Sequence, residues 1–481
     1  MSLKKEFSVG ILFSAFSKYS GIIISLGVTS ILSRLLSPEQ FGVVGVATVL
    51  IAFFNILGDI GIGPAIIQRN NLTQEDLKNI HSFTTLLGII LGGIFYFLSP
   101  VVARVYNDVQ LIPICRLLCI SIITTCWGIV PINLQYKAKR FKRIAIITVL
   151  IQLTVGIVAC IMAYTGAGVY ALVFQSILSS LFISLIYNLQ SRLPLTLAIK
   201  RESLEKIYSF SLFQFLFNIL VYFSRNLDKL LIGKMIGMSQ LGYYDKSYRL
   251  MMLPLQNITF VITPVILPIF SALDNIKLIG EKYLKLLKPL SYISFPLSVL
   301  MFECSEELIF IIFGNQWGPA VAPLKILSLT IGFQIILSTT GGIFQAAGAT
   351  KHLFYSGCWG AFFIISSLLG AIYIWKTVEA VCYAYLLAQL ANVIQCFISL
   401  FKVVGQNILI PFQIMFKSIM LSSITFVVLY VFGVAIADSD VWLRLITKTV
   451  LWGVLTTLLI QLFTPYNILH MIKGRFKSIL S

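Results

Sequence analysis

The sequence predicts an all-α protein that crosses a membrane many times. Of its 481 residues, 58% are hydrophobic and only 11% are charged, and the mean hydropathy is +0.93. A soluble chain of this length would need far more polar surface. Apolar runs of spanning length recur from one end to the other, and they lack the alternating pattern of barrel strands. These features favour a bundle of helical spans, in which the backbone groups are bonded internally.

Fourteen spans are predicted, each long enough to cross the hydrocarbon core. They are 9–31, 41–66, 80–103, 109–131, 144–164, 168–189, 208–232, 241–268, 284–302, 320–346, 353–374, 378–400, 413–435 and 444–463. The first run has no small-residue cleavage site, so we expect a span there and not a cleaved signal peptide. The connections are short, and no soluble domain is expected between spans.

The net charge of +18 is distributed unevenly over alternate connections. If the N-terminus lies inside, most lysines and arginines fall on the inner side, and the largest clusters are 137–143, 192–206 and 277–288. Few basic residues fall on the outer side: Arg34, Arg104, Lys234, Lys376 and Arg444. The positive-inside rule therefore predicts that both termini are cytoplasmic. Topology explains the basic charge, and no nucleic-acid partner is expected.

Cysteine and histidine spacing does not indicate a metal site. The eight cysteines fall within or beside the apolar spans and include no CxxC pair, which predicts free, buried thiols. The three histidines, His81, His352 and His470, show none of the spacings of zinc sites. No metal and no cofactor is expected, while coupling to H+ or Na+ is left open.

An internal repeat relates the first and second spans to the seventh and eighth. Residues 33–50 align with residues 233–250, at the outer turn between two spans in each case. The identical pairs are Gln40 with Gln240, Gly42 with Gly242 and Leu50 with Leu250. Because an even number of spans separates the copies, the repeats are parallel and related by a pseudo-two-fold axis along the membrane normal. The predicted divisions are a lobe at 1–205 (spans 1–6), a lobe at 206–405 (spans 7–12), and spans 13–14 with a cytoplasmic tail at 406–481.

Polar side chains gather on one face of several spans, at about 100° per residue. Such stripes occur on spans 1, 2, 7, 8 and 10, and they contain Ser14, Lys18, Gly21, Ser25, Thr29, Thr48, Asn55, Asp59, Thr330, Gln334 and Ser338 among others. Small and hydroxyl residues also serve to pack membrane helices, and this alternative stays open for the uncharged positions. A lysine near mid-membrane, such as Lys18, costs roughly 2.5–3.5 kcal/mol and normally faces water or a partner.

The charged stripes predict a hydrated cleft that is net basic. Matching spans of both lobes carry them, so we expect them to face one another across the pseudo-two-fold axis. The cationic residues predicted to bind substrate are Lys18, Arg225, Lys229 and Arg249. The polar or gating residues are Asn55, Asp59, Gln214, Asn218, Tyr222, Asp245 and Gln256. A structural charge cluster at the outer rim is the alternative, in which Arg249 pairs with Asp245 one turn away.

The motif GDIGIGPA at 58–65 is interpreted as a loosened inner end of the second span. It lacks the lysine and the preceding strand of a phosphate-binding loop. Asp59, next to these glycines, is expected either to stabilise the structure or to take part in gating.

Two stretches, "SRLLSPEQFGVVGVATVLIAFFNILGDIGIGPAIIQRNNLTQED" (33–76) and "RNLDKLLIGKMIGMSQLGYYDKSYRLMMLP" (225–254), closely resemble Wzx-type oligosaccharide flippases. The likeness continues through "LQYKAKRFKR" (134–143) and "YTGAGVYALVFQSIL" (164–178). These flippases belong to the multidrug/oligosaccharidyl-lipid/polysaccharide exporter superfamily. Within it the chain is most similar to the lipopolysaccharide biosynthesis proteins of the colanic-acid and teichuronic-acid type.

The resemblance implies fourteen helices in two lobes around a cavity that opens to alternate membrane faces. The implied substrate is an undecaprenyl-diphosphate-linked oligosaccharide, moved to the outer leaflet of the bacterial cytoplasmic membrane for O-antigen, exopolysaccharide or capsule synthesis. Membrane lipids, a polysaccharide polymerase and chain-length machinery are implied partners. Cationic residues on the first and eighth helices are thought to hold the diphosphate in this family. Lys18 and Arg249 occupy such places here, with lysine where related flippases often have arginine.

Two other functions remain as alternatives. A multidrug or ion-coupled antiporter of the same superfamily would prefer cationic compounds and an acidic cavity, whereas these stripes are net basic. A membrane-embedded polysaccharide polymerase or ligase would need a sizeable outer loop with catalytic groups, and no such loop is predicted.

Overall fold

The computed structural model describes residues 3–69, 71–196, 199–200, 202–203, 219, 222–223, 226–273 and 275–463. Within this part of the chain the regular elements are helices, and no strand is present. Their bounds are α1 Leu3–Leu35, α2 Pro38–Asp59, α3 Ile62–Gln68, α4 Gln74–Tyr106, α5 Leu111–Lys137, α6 Phe141–Tyr164, α7 Tyr170–Ser191, α8 Met238–Ser271, α9 Ile276–Glu303, α10 Ser305–Ile312, α11 Val321–Ser328, α12 Ile331–Ala346, α13 Thr350–Ile374, α14 Val378–Val403, α15 Leu409–Ala435 and α16 Val441–Phe463. Residues 226–235 are also helical, and a short 3₁₀ helix covers Asn315–Ala320.

The predicted all-helical membrane fold is confirmed. Eleven of the described helices are long and apolar enough to cross a membrane, or twelve if one bent pair counts as a single span. Most of the predicted span 208–232 lies outside the described residues. The total of fourteen spans stays a prediction.

One predicted span, 320–346, is not a continuous helix. The helices on either side of its break, Asn315–Ser328 and Ile331–Ala346, are bent by 49° relative to each other. At the break the N–H of Leu329 donates to the carbonyl of Ile326, and the N–H of Thr330 donates to that of Leu327. These three-residue bonds replace the four-residue bonds of an α-helix and tighten the turn. The hydroxyl of Thr330 also donates to the carbonyl of Leu327, at 2.7 Å.

The second predicted span ends earlier than expected, and the predicted loosening after Gly58 is confirmed, while its position on the inner side stays a prediction. Helix α2 stops at Asp59 because Ile60 (φ 44°) and Gly61 (φ 74°) adopt left-handed backbone conformations. Such a φ is common for glycine and rare for a β-branched residue. The chain then forms the short helix α3 and packs it against α5.

The described residues form two compact units, Met1–Gly242 (unit 1) and Tyr243–Ser481 (unit 2). In unit 1, α4 packs along α5, α5 along α7, and α1 along α6. In unit 2, α13 packs along α14, and α9 packs along both α12 and α15. Small residues permit this closeness: a β-carbon built on Gly156 would lie 2.4 Å from the side chain of Val28, where α1 meets α6. The lobe divisions predicted at 205 and 405 stay a prediction.

The two copies of the repeat contact each other within unit 1. A β-carbon built on Gly42 would lie in contact with the carbonyl oxygen of Met238, and one built on Gly242 would contact that of Pro38. Gly42 therefore lies against the backbone of Met238, the first residue of α8, and Gly242 lies against that of Pro38, the first residue of α2. Met238 comes four positions before Gly242, and Pro38 comes four positions before Gly42. Such an approach of two backbones excludes any side chain larger than hydrogen. We call this reciprocal contact the glycine crossing.

Candidate functional site

The predicted site residues are divided between the two units. Unit 1 holds Lys18, Asn55, Asp59, Tyr222 and Lys229, while unit 2 holds Asp245, Arg249 and Gln256. Three further predicted residues, Gln214, Asn218 and Arg225, lie outside the described residues. The cleft predicted from both sets stays a prediction, and the residues are described unit by unit.

The polar stripe on α1 contains packing residues as well as the candidate lysine. Gly21 lies against α6, because a β-carbon there would be 2.8 Å from the side-chain oxygen of Gln152. Thr29 is buried, with 8% exposure. Lys18 lies one turn before Gly21 and is half-buried. Helix packing thus accounts for Gly21 and Thr29, while Lys18 remains a candidate for a ligand charge.

The C-terminal half of α2 contains the two polar candidates Asn55 and Asp59. The side-chain oxygen of Asn55 is buried and has no hydrogen-bond partner among the described residues. A buried acceptor without a partner is costly, which makes it a candidate for a ligand contact. Asp59 is used differently: its Oδ1 accepts the backbone N–H of Gly63 at 3.1 Å and caps α3.

Helix α3 is held at its other end by a lysine from α5. The ammonium of Lys137 donates to the carbonyl of Ile66 at 2.9 Å and also to that of Arg69. A cation at a helix C-terminus satisfies carbonyls that have no partner within the helix. Asp59 and Lys137 therefore fix the two ends of this short helix, which gives Asp59 a structural role.

Tyr222 is a packing residue in this structure. Its hydroxyl donates to the backbone carbonyl of Val49 at 2.5 Å, and its ring lies 5.6 Å from that of Phe53. The residue is 5% exposed. The hydroxyl therefore anchors Tyr222 to α2, and its predicted polar or gating role stays a prediction.

Lys229 is half-buried and follows the buried residue Asp228. The carboxylate of Asp228 accepts the backbone N–H of Lys229 at 2.8 Å. Asp228 is 4% exposed, so this carboxylate lies inside unit 1 and close to the backbone that carries the candidate cation.

In unit 2 the first turns of α8 place Arg249 at the surface. Arg249 is exposed, as is Gln256 seven residues later on the same face. The structure has no ion pair between Arg249 and Asp245, and Arg249 makes no salt bridge with any described residue. The alternative of a structural pair is therefore not supported. Arg249 thus remains a candidate for contact with a ligand anion.

Lys246, next to the candidate residues, is used for packing. It is 1% exposed, and its ammonium lies 5.0 Å from the ring of Phe313 and 5.2 Å from that of Trp317. A cation over aromatic faces is stabilised by their quadrupoles. Lys246 therefore packs α8 against Phe313 and Trp317, which precede α11.

The polar stripe of the tenth predicted span is also a packing network. The amide nitrogen of Gln334 donates to the hydroxyl of Thr330 at 2.7 Å. The amide oxygen of Gln334 accepts a hydrogen bond from the hydroxyl of Tyr385 at 3.5 Å. Thr330 is fully buried. Of the two readings left open by the sequence, helix packing describes these residues.

A charged cluster in unit 2 was not among the predicted sites. The ammonium of Lys448 on α16 donates to Glu307 Oε1 on α10 at 2.7 Å and to the backbone carbonyl of Glu303 at 2.8 Å. Arg444 lies 3.4 Å from Glu306 and 3.9 Å from Glu307. The sequence signal was the i, i+4 spacing of Arg444 and Lys448 at the start of an apolar span, together with three glutamates at the end of another.

Comparisons with known proteins identify relatives in polysaccharide biosynthesis. A family model described as "Polysaccharide biosynthesis protein" matches residues 31–322. Teichuronic acid biosynthesis protein TuaB of Bacillus subtilis (strain 168) is 25% identical over 367 residues, covering 74% of this chain and 74% of TuaB.

Two solved structures share the fold. The lipid II flippase MurJ, in an inward closed conformation, superposes with a TM-score of 0.72 at 14% identity, over 94% of this chain and 99% of its own. A multidrug resistance MATE family transporter in an inward-facing conformation superposes with a TM-score of 0.61 at 15% identity, over 80% of this chain and 94% of its own. At such identities the likeness concerns the fold alone.

Proposed function

The chain belongs to the polysaccharide biosynthesis protein family, and we propose that it is a flippase for lipid-linked oligosaccharides. It would move an undecaprenyl-diphosphate-linked glycan unit across the bacterial cytoplasmic membrane, by alternating access, for the synthesis of a cell-surface polysaccharide. One observation carries the proposal: a member of a polysaccharide family has the fold of a lipid II flippase over 94% of its length. The fold supports transport by alternating access, and the family supports a polysaccharide precursor as the transported molecule.

The proposed architecture has fourteen spans, with both termini in the cytoplasm. The lobes are 1–205 and 206–405, followed by the last two spans and tail at 406–481. The bent pair, α9 and the segment 208–232 would complete the fourteen. The glycine crossing supports a pseudo-two-fold relation between the lobes, because equivalent glycines make equivalent backbone contacts.

The cationic residues suit a diphosphate. Arginine presents a fork that binds phosphate oxygens in pairs, and lysine presents a compact point charge. Arg249 is exposed and has no salt bridge in the described part of the chain, and Lys18 is half-buried on α1. We propose these two as the main diphosphate contacts, with Arg225 and Lys229 adding to the positive field.

Polar side chains would bind the sugars. The buried acceptor of Asn55 and the exposed amide of Gln256 offer hydrogen bonds, and Gln214 and Asn218 are proposed to do the same. The lipid tail would remain in the bilayer. A polysaccharide polymerase and chain-length machinery would use the product on the outer face.

A multidrug antiporter remains the second candidate because the same fold occurs in a multidrug transporter. The residues favour it less. A site for cationic compounds needs free carboxylates, whereas one oxygen of Asp59 is bonded to the backbone of Gly63 and the candidate cations outnumber Asp59 and Asp245. We propose a transporter rather than an enzyme because the chain has the fold of a flippase and of a multidrug transporter.

Substitution of Arg249 tests the diphosphate site. Arg249→Ala removes one charge-assisted contact, which costs about 1.5–3 kcal/mol, or roughly a tenfold to hundredfold loss of apparent affinity. We expect surface polysaccharide to fall and lipid-linked oligosaccharide to accumulate in the inner leaflet, while Arg249→Lys retains part of the activity. Quantification of both glycan pools in a complemented deletion strain provides the measurement.

Two control variants make the result interpretable. Arg104→Ala removes an exposed arginine outside the candidate site and is expected to leave export unchanged. If Arg249 instead served a structural pair, Asp245→Asn would be as harmful as Arg249→Ala, and the double variant would recover export. Recovery in the double variant would overturn the role of Arg249 in substrate binding.

A further inference from the structure

The charged cluster of unit 2 contains two buried glutamates that differ in how well they are compensated. Glu303 is the last residue of α9, and Glu307 lies in the first turns of α10. They are 8% and 0% exposed. Ionised carboxylates are costly to bury unless cations or hydrogen bonds compensate them. Two such groups this close in sequence also disfavour each other's ionisation.

Glu307 is the compensated member. Its Oε1 accepts a hydrogen bond from the ammonium of Lys448 at 2.7 Å, and the guanidinium of Arg444 lies 3.9 Å away. Both cations come from α16. Two cations therefore lie beside Oε1 of Glu307, while its buried Oε2 has no hydrogen-bond partner among the described residues.

Glu303 lacks such contacts. Its Oε1 is buried and has no hydrogen-bond partner among the described residues. Lys448 bonds the backbone carbonyl of Glu303 and not its carboxylate. Lys325 of α11 also faces it electrostatically, but the ammonium of Lys325 lies near the ring of Phe302, at 5.8 Å from its centroid. The carboxyl group of Glu303 is thus buried near two cations and accepts a hydrogen bond from neither.

The other helices packed on α9 add no nearby charge. Helix α12 has no charged residue. Helix α15 has Lys417, whose neighbour Ser418 bonds the carbonyl of Ser291, three turns before Glu303. The charged groups that act on Glu303 are thus Lys448 from α16, Lys325 from α11 and Glu307 from α10. Arg444 and Glu306 lie next to this group, because Arg444 contacts both Glu306 and Glu307.

We propose that Glu303 is a proton-binding site. Burial without a hydrogen bond favours the neutral acid, and Lys448 and Lys325 oppose this effect without a direct contact to the carboxyl group. The proton comes from water and binds one carboxylate oxygen, and no other bond changes. Lys448 and Glu307 are positioning residues, because Glu307 holds the ammonium of Lys448 at 2.7 Å and so keeps that ammonium beside Glu303. Glu303 would couple proton movement to glycan transport, a second step that rests on the proposed function.

Infrared difference spectroscopy tests proton binding without reference to transport. Purified protein in lipid bilayers is titrated across the physiological pH range while the C=O band of protonated carboxyl groups is recorded. The wild type should show a titrating band that Glu303→Gln abolishes. Glu281→Gln, which changes an exposed glutamate of the same helix, should retain it. Glu307→Gln should move the midpoint to lower pH, because Lys448 is then released to favour ionised Glu303.

Glu303→Asp covers the case in which Glu303→Gln fails to fold, since it should keep a titrating band with a shifted midpoint. A band that persists unchanged in the folded Glu303→Gln protein, or no titrating band in the wild type, overturns the proposal. In membrane vesicles, glycan transport by Glu303→Gln should no longer respond to an imposed pH gradient, and a normal response overturns the coupling. A wild-type protein that titrates but moves no glycan would refute the flippase proposal and leave the proton site standing.

Discussion

Asp59 lies where α2 ends and α3 begins, and the structure gives its carboxylate a defined contact. Its Oδ1 accepts the N–H of Gly63, and Ile60 and Gly61 between them provide the left-handed turn. Asparagine keeps an oxygen in the same place and removes the charge. Asp59→Asn therefore separates the structural contact from a role of the charge in gating.

We expect Asp59→Asn to fold, reach the membrane and export glycan poorly. Asp59→Ala removes the capping acceptor as well, which costs about 0.5–2 kcal/mol, and should lower thermal stability in addition. Export in a deletion strain and melting of the purified protein give the two readouts. Full export by Asp59→Asn would mean that the residue has only a structural role.

Single residues also show where sequence reasoning reaches its limit. A stripe of polar residues indicates which face avoids lipid, but it does not distinguish a cavity from a neighbouring helix. Gly21, Thr330 and Gln334 turned out to face helices. The sequence predicts a polar or gating role for Tyr222, whereas in the structure its hydroxyl donates to the carbonyl of Val49. Whether such a side chain faces a cavity or a helix depends on partners from distant segments of the chain. Helical periodicity gives no information about those partners.

At the scale of elements, the glycine crossing joins the two copies of the repeat. Side chains cannot fit where a β-carbon on Gly42 would meet the carbonyl of Met238. The repeat was visible in sequence from Gln40, Gly42 and their partners, and the reason for its glycines became visible only with the contact. Helix-breaking at Leu329 and Thr330 was likewise hidden, since neither residue is a helix breaker by composition.

Gly42→Ala should force the two helices apart. Overpacking of a close contact costs about 1–3 kcal/mol, so the melting temperature of the purified protein should fall, and export should fall with it. Gly45→Ala is the matched control on the same helix, because its nearest neighbour atom would lie at 3.7 Å, an ordinary contact.

The double variant Gly42→Ala/Gly242→Ala sharpens this test. Both glycines lie in the glycine crossing, so the first alanine should already separate α2 from α8 and the second should disturb the contact less. The losses of stability in the double variant should therefore be less than additive. Additive losses, or equal stability of Gly42→Ala and Gly45→Ala, would contradict the importance of this contact.

At the scale of the whole molecule, hydropathy and charge predicted the helical membrane fold because bilayer thickness constrains every span in the same way. The described helices largely agree with the predicted runs, as α13 (Thr350–Ile374) does with 353–374. The Lys448–Glu307 pair was not predictable to the same degree, because its partners are far apart in the chain. The site, unlike the fold, depends on such long-range contacts.

We propose that this protein moves a lipid-linked oligosaccharide from the inner to the outer leaflet. The direct measurement is the accessibility of that oligosaccharide, in spheroplasts depleted of the protein, to a membrane-impermeant reagent that oxidises sugars. We predict that the oligosaccharide accumulates and stays protected until the cells are lysed, and that re-expression of the wild type exposes it. Accumulation in a form that the reagent reaches in intact spheroplasts, or unchanged glycan with raised sensitivity to cationic drugs, would contradict the claim.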